Sequence, residues 1–329
     1  MRELKEQPTK RKLQKYGLSV VPSNTCGSHK KSILHSTPPL VYEPNIELST
    51  FGCDIRIDCR DRRAKSLILA NYGGLKGPCK ESQIYYLITR DPTSQRLTIN
   101  RDGREPLVAR DDGEFLFQFE KDMTIQLQKL RPELYFLHGA ALEFAGRAVL
   151  LIAPSGGGKS TTTWGLLHHG FRYLSDELAP VRLESMEVYP YPHAICFKRE
   201  PPKPYLLPKG TIHTSRTMHV PAELLPADIV NEPARMSAIL FLQQSSLSSA
   251  PTIRSITKGE AAARLYANAL NGLAHEGDGI DGAIEIARRH LCFELTIGDL
   301  PATCALVKNT LQDLPDIRIT SPLGLVEVA

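Results

Sequence analysis

Residues 147–170 constrain the fold of this chain more than any other segment. An apolar run over 147–153 leads directly into residues 153–160, which read A-P-S-G-G-G-K-S, and the residues that follow suit a helix ending at Gly170. A strand, a glycine-rich turn and a helix in this order place the turn at the N-terminus of the helix. Consecutive glycines let backbone N–H groups turn toward one point, at which the positive end of the helix dipole is also directed. The segment therefore predicts a phosphate-binding loop.

The side chains of this loop predict which ligands it binds. Its sequence matches the template G-x-x-x-x-G-K-[ST] except at the first glycine, where the chain has Ala153. We expect Lys159 to contact the β- and γ-phosphates of a nucleoside triphosphate and the Ser160 hydroxyl to bind Mg²⁺. The other residues expected to contact the nucleotide are Ser155, Gly156, Gly157, Gly158 and Thr161. The loop thus predicts ATP and Mg²⁺ as ligands.

An acidic pair follows the loop closely. Asp176 lies 17 residues beyond Lys159 and is followed by Glu177, and the short apolar run 171–174 before them favours a strand that brings both carboxylates to the phosphates. Phosphoryl transfer requires positioning, charge neutralisation and a group that accepts the proton of the attacking hydroxyl. A carboxylate near Mg²⁺ and phosphate, with a histidine that adjusts its pKa, meets the last requirement.

Other classes of nucleotide-binding protein fit less well. The chain has no LSGGQ-like stretch, which an ABC transporter ATPase would carry, and no NKxD motif, which a guanine-specific GTPase would carry.

For a cation on the γ-phosphate, Lys198, Arg199 and Arg235 are candidates because they follow the core strands.

These motifs together resemble the HPr kinase/phosphorylase family and its shorter relatives, whose nucleotide-binding core is also similar to PEP carboxykinase. The resemblance covers about residues 137–180, from His138-Gly139 through a hairpin, the loop and a helix ending in glycine to a strand ending in an acidic pair. Residues 295–300, L-T-I-G-D-L, look like the closing segment of HPr-kinase-related proteins found beside secretion and peptide-modification genes.

The resemblance implies residue roles and an activity. In the family the first acidic residue is the base on a serine hydroxyl, the second helps to hold Mg²⁺, and the histidine tunes the base; by position these are Asp176, Glu177 and His138. The implied reaction transfers the γ-phosphoryl group of ATP to a serine-type hydroxyl on a peptide or protein, with a small hydroxyl compound as the second substrate class. A nucleotide-dependent regulatory or binding ATPase without a phosphorylated acceptor is the alternative.

The composition along the chain predicts three parts. Residues 1–41 form a basic leader, with eight Lys or Arg against two Glu in the first 31 positions. Residues 42–131 form a β-rich N-terminal domain that ends in a helix from about residue 120. Residues 132–329 form the catalytic domain, where apolar runs alternate with helical segments. The predicted fold class is α/β, with a PEP-carboxykinase/HPr-kinase-like P-loop core and a mixed sheet after the smaller β-rich domain.

The strands of the N-terminal domain are predicted from runs in which apolar and polar residues alternate. These runs lie at residues 46–51, 54–58, 83–89, 96–100 and 114–119.

Composition and charge exclude several function classes. With 329 residues, of which 42% are apolar, the chain has enough material for a large core. It has no apolar run near the roughly 20 residues needed to span a bilayer, so we expect a cytoplasmic protein without a membrane span. Seven cysteines without CxxC or zinc-type spacing suggest reduced thiols. The basic leader has no counterpart on the body of the chain, so nucleic acid is not expected as a partner. A homo-oligomer is left open.

Overall fold

The computed structural model describes residues 44–244 and 250–314. The basic leader predicted for residues 1–41 lies outside the described residues, as do residues 315–329.

The first part of the described chain is a five-stranded sheet with two helices. In chain order, and also in their order across the sheet, its strands are β1 (Ile46–Thr50), β2 (Cys53–Cys59), β3 (Ser82–Arg90), β4 (Leu97–Asn100) and β5 (Leu107–Ala109). Helix α1 (Arg62–Tyr72) connects β2 to β3, and these two strands run parallel because a crossover joins them. The alternating runs that predicted β1 to β4 are confirmed.

Helix α2 (Asp112–Leu130) corrects one prediction, since residues 114–119 are helical and do not form a strand. Phe115 and Phe119 lie about one turn apart and are buried, whereas Phe117 is 65% exposed on the other side of the helix. The three phenylalanines alternate in sequence as in a strand, and a six-residue window does not separate period 2 from period 3.6. The helix predicted after this segment is the second half of α2.

The larger part of the molecule contains a nine-stranded sheet, a small three-stranded sheet and four helices. Its strands are β6 (Leu134–His138), β7 (Ala140–Phe144), β8 (Arg147–Ile152), β9 (Arg172–Ser175), β10 (Leu178–Arg182), β11 (Glu187–Val188), β12 (Ile195–Phe197), β13 (Ile212–His213), β14 (Met218–Val220), β15 (Ala234–Gln244), β16 (Thr252–Ser255) and β17 (Leu291–Ile297). Its helices are α3 (Lys159–Leu167), α4 (Lys258–Ala267), α5 (Ile280–Arg289) and α6 (Leu300–Gln312).

Three parallel strands form the centre of the nine-stranded sheet, with β15 between β8 and β17. Antiparallel strands β7 and β9 extend it beyond β8, while β11, β10 and β6 continue from the start of β15. Helices α3 and α6 pack on one face, and α4 and α5 pack on the other. The fold is therefore mixed α/β with several sheets, as the sequence predicted. No helix in residues 44–244 or 250–314 is long and apolar enough to cross a membrane.

The hairpin predicted before the loop is present as β7 and β8, joined by Ala145 and Gly146. The apolar run that contains the first strand of this hairpin is divided at Gly139. Strand β6 ends just before this glycine, and β7 begins just after it. A Cβ atom at Gly139 would lie 2.6 Å from Cδ1 of Ile152, the last residue of β8. Glycine thus permits a close approach of the two chain segments, and this places His138 beside the end of β8.

The core of the first sheet continues into the larger part of the molecule. The Phe51 ring lies 5.9 Å from the Phe136 ring and 5.7 Å from the Tyr191 ring, measured between centroids. Leu134 belongs to the same buried cluster. The domain boundary at residue 131 stays a prediction, and this packing means that a fragment beginning at 132 would expose apolar side chains that the first sheet now covers.

A buried carboxylate connects α2 to the first sheet. Asp122 is 2% exposed, and its Oδ2 accepts hydrogen bonds from the Tyr86 hydroxyl (2.9 Å) and from Arg101 Nε (2.8 Å). Its Oδ1 accepts a further hydrogen bond from Arg104. The carboxylate therefore compensates two guanidinium groups at the junction between the helix and the strands.

We predict that Asp122→Ala lowers the free energy of unfolding by about 2 kcal/mol, because the buried Tyr86 hydroxyl and the half-buried Arg101 guanidinium lose their hydrogen-bond acceptor. Chemical denaturation followed by circular dichroism measures the change. Glu47→Ala is the control, since it removes an exposed ion pair with Arg56 and should cost less than about 1 kcal/mol. Equal losses in the two variants would contradict the assignment of Asp122 as a structural counter-charge.

Candidate active site

The predicted phosphate loop lies at the carboxyl ends of the three parallel central strands. It follows Ile152 at the end of β8, and α3 begins at Lys159. Gln244, the last residue of β15, donates a hydrogen bond of 2.8 Å from Nε2 to the Gly156 carbonyl oxygen. Crevices at the carboxyl ends of parallel strands are the usual ligand sites of α/β sheets.

The glycines give the loop its conformation. Gly156 and Gly158 have φ angles of 82° and 91°, in the left-handed region that favours glycine. A Cβ atom at Gly158 would also lie 2.5 Å from Cδ1 of Ile297, at the end of β17. Ala153 replaces the first glycine of the template, and it packs in the core without a positive φ. The loop can therefore form with alanine at that position.

The helix that follows completes the cradle. Thr162 donates its backbone N–H to the Gly158 carbonyl oxygen, which is the first bond of α3. The N–H groups of Lys159, Ser160 and Thr161 precede this bond and have no acceptor within the helix. They lie at the positive end of the helix dipole, where an anion is favoured.

Lys159, Glu177 and His138 form one cluster beside this cradle. Lys159 Nζ donates to Glu177 Oε2 over 2.9 Å, and His138 Nε2 lies 2.9 Å from the same oxygen and 3.1 Å from Lys159 Nζ. Lys159 is only 7% exposed, whereas 37% of the Glu177 side chain is exposed. Glu177 is therefore the member of the cluster that a ligand in the crevice reaches most easily.

Asp176 has a different partner. Ser160 donates a hydrogen bond of 2.7 Å from Oγ to Asp176 Oδ2. The Asp176 side chain is fully buried, and its Oδ1 has no hydrogen-bond partner among residues 44–244 and 250–314. The two adjacent carboxylates thus contact two different residues of the same loop.

Strand pairing produces this arrangement. Strands β6 and β10 pair so that His138 is opposite Leu178, the residue after Glu177. The Gly139 N–H also donates to the Glu177 carbonyl oxygen over 3.3 Å. The end of β6 and the acidic turn after β9 are therefore fixed side by side next to the loop.

The surroundings shift the pKa values of the two carboxyl groups in opposite directions. Burial raises the pKa of Asp176, although the Lys159 charge opposes this effect. Burial would also raise the pKa of Glu177, but the hydrogen bond with His138 and the charge of Lys159 outweigh it and hold that pKa well below its usual range. In this state of the site Glu177 is a charged carboxylate paired with the loop lysine.

These residues fit a nucleotide and a magnesium ion. An acceptor such as Asp176 Oδ1, which is buried without a partner, costs free energy unless a ligand completes its contacts. A cation beside Ser160 and Asp176 would do so. The described part of the chain contains no group of three or more His, Cys, Asp or Glu side chains placed to hold a metal. A Mg²⁺ ion here would therefore take its other ligands from phosphate oxygens and water.

The structure separates the three cations proposed for the γ-phosphate. Lys198 follows β12, and its Nζ donates a hydrogen bond of 2.7 Å to Ser155 Oγ in the loop. Arg199 is exposed, and within residues 44–244 and 250–314 no hydrogen bond joins it to the loop. Arg235 is the second residue of β15, nine residues before Gln244, which puts it about 30 Å from the loop along the strand. Lys198 is thus the candidate that the fold brings to the site.

Sequence reasoning missed one buried histidine near the acidic pair. His193 is 4% exposed, and its Nε2 lies 3.1 Å from Glu120 Oε1 on α2. Burial would lower the pKa of His193, but the hydrogen bond to Glu120 and the charges of Glu120, Asp176 and Glu177 raise it. A lone histidine between two prolines and a strand carries no sequence signal, because its partners come from distant parts of the chain.

Comparisons with known proteins add little to this geometry. No protein-family model matches the chain, and no curated protein matches it either. A solved structure of the Hpr(Ser) kinase/phosphatase from Coxiella burnetii is similar over 54% of this chain and 94% of that one, with 14% sequence identity and a TM-score of 0.28. This similarity is too low to establish a shared fold.

We predict that Gly158→Ala weakens ATP binding by at least about tenfold, because the added methyl group meets Ile297 and the backbone leaves its left-handed conformation. Isothermal titration calorimetry with ATP and Mg²⁺ measures the change. Gly103→Ala is the control. Gly103 has a similar positive φ, but it lies in an open turn of the first sheet, where an added Cβ atom would have no neighbouring atom within 4 Å. Undiminished ATP affinity in Gly158→Ala would show that the loop conformation is not needed for binding.

Proposed function

We propose that this chain is an ATP- and Mg²⁺-dependent kinase that transfers the γ-phosphoryl group to a serine-type hydroxyl on a peptide or protein acceptor. One observation carries the proposal: the loop lysine and the loop serine each contact one of two adjacent carboxylates, with His138 on the more exposed one. This set supplies a phosphate cradle, a place for a cation and a proton acceptor within one crevice, which are the needs of phosphoryl transfer.

Two residues are assigned to the magnesium ion. In P-loop proteins the loop Ser or Thr and a nearby aspartate hold this metal. The 2.7 Å contact between Ser160 Oγ and Asp176 Oδ2 means that one cation can touch both residues. When bound, Mg·ATP supplies the phosphoryl group and the positive charge that stabilises its transfer.

Glu177 is assigned as the base. The hydroxyl oxygen of the acceptor forms a bond to the γ-phosphorus, the bond from that phosphorus to the β–γ bridging oxygen breaks, and the hydroxyl proton moves to the Glu177 carboxylate. His138 holds this carboxylate by its 2.9 Å contact and orients the oxygen that receives the proton. The exposed part of Glu177 gives the acceptor access, which the buried Asp176 does not.

This assignment exchanges the two carboxylate roles implied by the resemblance to the HPr kinase/phosphorylase family, in which Asp176 is the base and Glu177 the metal ligand. The exchange rests on which loop residue each carboxylate contacts. Glu177 is a weak base while His138 and Lys159 hold it, because the hydrogen bond with His138 and the charge of Lys159 stabilise its charged form. A nucleotide that draws the Lys159 ammonium toward its phosphates would release Glu177 and raise its proton affinity. Nucleotide binding would then also activate Glu177 as the base.

The class of acceptor is proposed on the resemblance of His138 and the acidic pair to the HPr kinase/phosphorylase family. A small hydroxyl compound such as free serine is the second acceptor class. A regulatory ATPase would use the same loop but would release only inorganic phosphate.

The roles of the two carboxylates predict different losses. Glu177→Gln should reduce phosphoryl transfer by about 10²-fold or more, the range for removal of a positioned base, while ATP affinity stays equal or rises because Lys159 loses a competing partner. Asp176→Asn should instead raise the Mg²⁺ concentration needed for half-maximal turnover. Radiolabelled ATP with a serine-centred peptide library, free serine and a phosphate-release assay measures both effects.

Lys159→Ala is the reference for a lost phosphate cradle in that assay. A label that appears only as inorganic phosphate would replace the kinase with the regulatory ATPase. If Glu177→Gln alone raised the Mg²⁺ requirement, the roles implied by the family resemblance would stand.

The contact between Lys198 and the loop predicts that the protein binds ATP more tightly than ADP. If its ammonium group contacts the γ-phosphate in place of Ser155, Lys198→Ala should weaken ATP binding by about tenfold and leave ADP binding nearly unchanged. Calorimetric titration with each nucleotide measures the two affinities. Arg199→Ala is the control, because the neighbouring cation is also exposed but does not contact the loop. Equal losses for ATP and ADP would mean that Lys198 only shapes the loop.

A further inference from the structure

A groove with a volume of about 810 Å³ lies between the C-terminal end of α2 and the segment that follows α4. Ile125, Gln128 and Lys129 of α2 form one wall. Residues 269–274 form most of the other wall. The proposed kinase chemistry uses none of these residues.

The segment after α4 pairs with β6, the strand that ends at His138. The His138 backbone N–H donates to the Asn268 carbonyl oxygen over 2.8 Å, and Ala269 is opposite Leu137 in an antiparallel bridge. Ala269 also lines the groove. The groove therefore begins one residue away from His138 along β6, next to the candidate active site.

Three large apolar side chains of this wall are exposed to solvent. Tyr266 is 43% exposed, Leu270 is 46% exposed and Leu273 is 88% exposed, and all three line the groove. The Leu270 N–H donates to the Phe136 carbonyl oxygen, which places Leu270 about two residues, or about 7 Å, from His138 along the strand. Several exposed apolar residues on one concave surface indicate a site that binds an apolar group.

The same wall is acidic. Residues 265–287 contain no Lys or Arg. Asp278 lines the groove, and the exposed Glu276 and Asp281 flank it in sequence. None of these three carboxylates forms an ion pair within residues 44–244 and 250–314. A partner at this wall therefore gains from positive charge.

Nearby cations offset only part of this charge. Lys129 on the opposite wall balances one of the three carboxylates. Arg288 and Arg289 follow the acidic range, but both pair with its fourth carboxylate, Glu285. Two negative charges remain uncompensated at the groove and the segment beside it.

We propose that this groove binds the peptide acceptor of the kinase, by a large apolar side chain two to four residues from the phosphorylated serine and a basic residue next to it. The inference rests on the proposed function. An extended peptide advances about 3.3 Å per residue. A serine beside Glu177, which His138 contacts at 2.9 Å, would thus place such a side chain about 7 to 13 Å away, at the distance of Leu270 and beyond.

The experiment uses the full-length protein and nine-residue alanine peptides with a central serine, in which leucine replaces alanine at each position in turn. We expect leucine two to four residues from the serine to lower KM by at least about tenfold, the range for burial of one leucine side chain. The value of kcat should stay within about twofold, because the contact is equal in ground and transition states. Arginine beside that leucine should lower KM further, and glutamate there should raise it.

Leu270→Asp should remove the gain from leucine and leave the KM of the all-alanine peptide unchanged. Leu273→Asp is a second variant with the same expectation, and it should not disturb folding because this side chain is almost fully exposed. Val108→Asp is the matched control and should keep the gain. Val108 is a similarly exposed apolar residue, but it lies on β5 in the first sheet and does not line the groove.

The outcomes separate this proposal from the kinase itself. Peptides that are phosphorylated equally well with and without leucine would overturn the groove and leave the kinase, as would a gain that survives both Leu270→Asp and Leu273→Asp. If no peptide is phosphorylated although ATP binds, the kinase falls and the groove proposal falls with it.

Two further outcomes would also overturn the proposal. Loss of the gain in Val108→Asp would mean that the effect is not specific to the groove. Light scattering tests whether a second copy of the chain covers the groove instead. A dimer that Leu273→Asp converts to a monomer would make this surface an interface between copies.

Discussion

Two adjacent carboxylates at the end of a buried strand need a positive counter-charge, and the candidate site depends on how Lys159 provides it. The ammonium group is almost inaccessible to water and bonds directly to Glu177, while its charge also acts on Asp176. Without it, two like charges would lie side by side, and only the hydrogen bonds with His138 and Ser160 would stabilise them. The loop and the acidic turn are therefore coupled electrostatically as well as by packing.

This coupling determines how the two carboxylates are paired in the structure. Lys159 neutralises Glu177 when no phosphate competes for it, and Ser160 satisfies one oxygen of Asp176. The other oxygen of Asp176 has no hydrogen-bond partner within residues 44–244 and 250–314. Under the proposed function, the free energy of nucleotide binding includes the exchange of Lys159 from Glu177 to phosphate.

The three-stranded sheet explains how a distant segment reaches the loop. The Phe197 ring at the end of β12 lies 6.0 Å from the Trp164 ring on α3, measured between centroids. Trp164 is buried and donates its indole N–H to the Tyr205 carbonyl oxygen at 3.1 Å. This packing fixes the residue after β12, Lys198, above the start of the same helix.

The sequence by itself determined the strand, the glycine turn and the helix of the loop, because these depend on residues adjacent in the chain. It also predicted that His138, Lys159 and the acidic pair belong together, and the structure does bring them together. The sequence pattern misassigned residues 114–119 to a strand, although they are helical. A short run in which apolar and polar residues alternate fits a strand and a helix with one exposed face equally well. Only the tertiary structure decided which carboxylate contacts Ser160 and which cation reaches the loop. Those contacts follow from the pairing of β6 with β10 and the packing of β12 on α3, and such long-range pairings leave no trace in local sequence patterns.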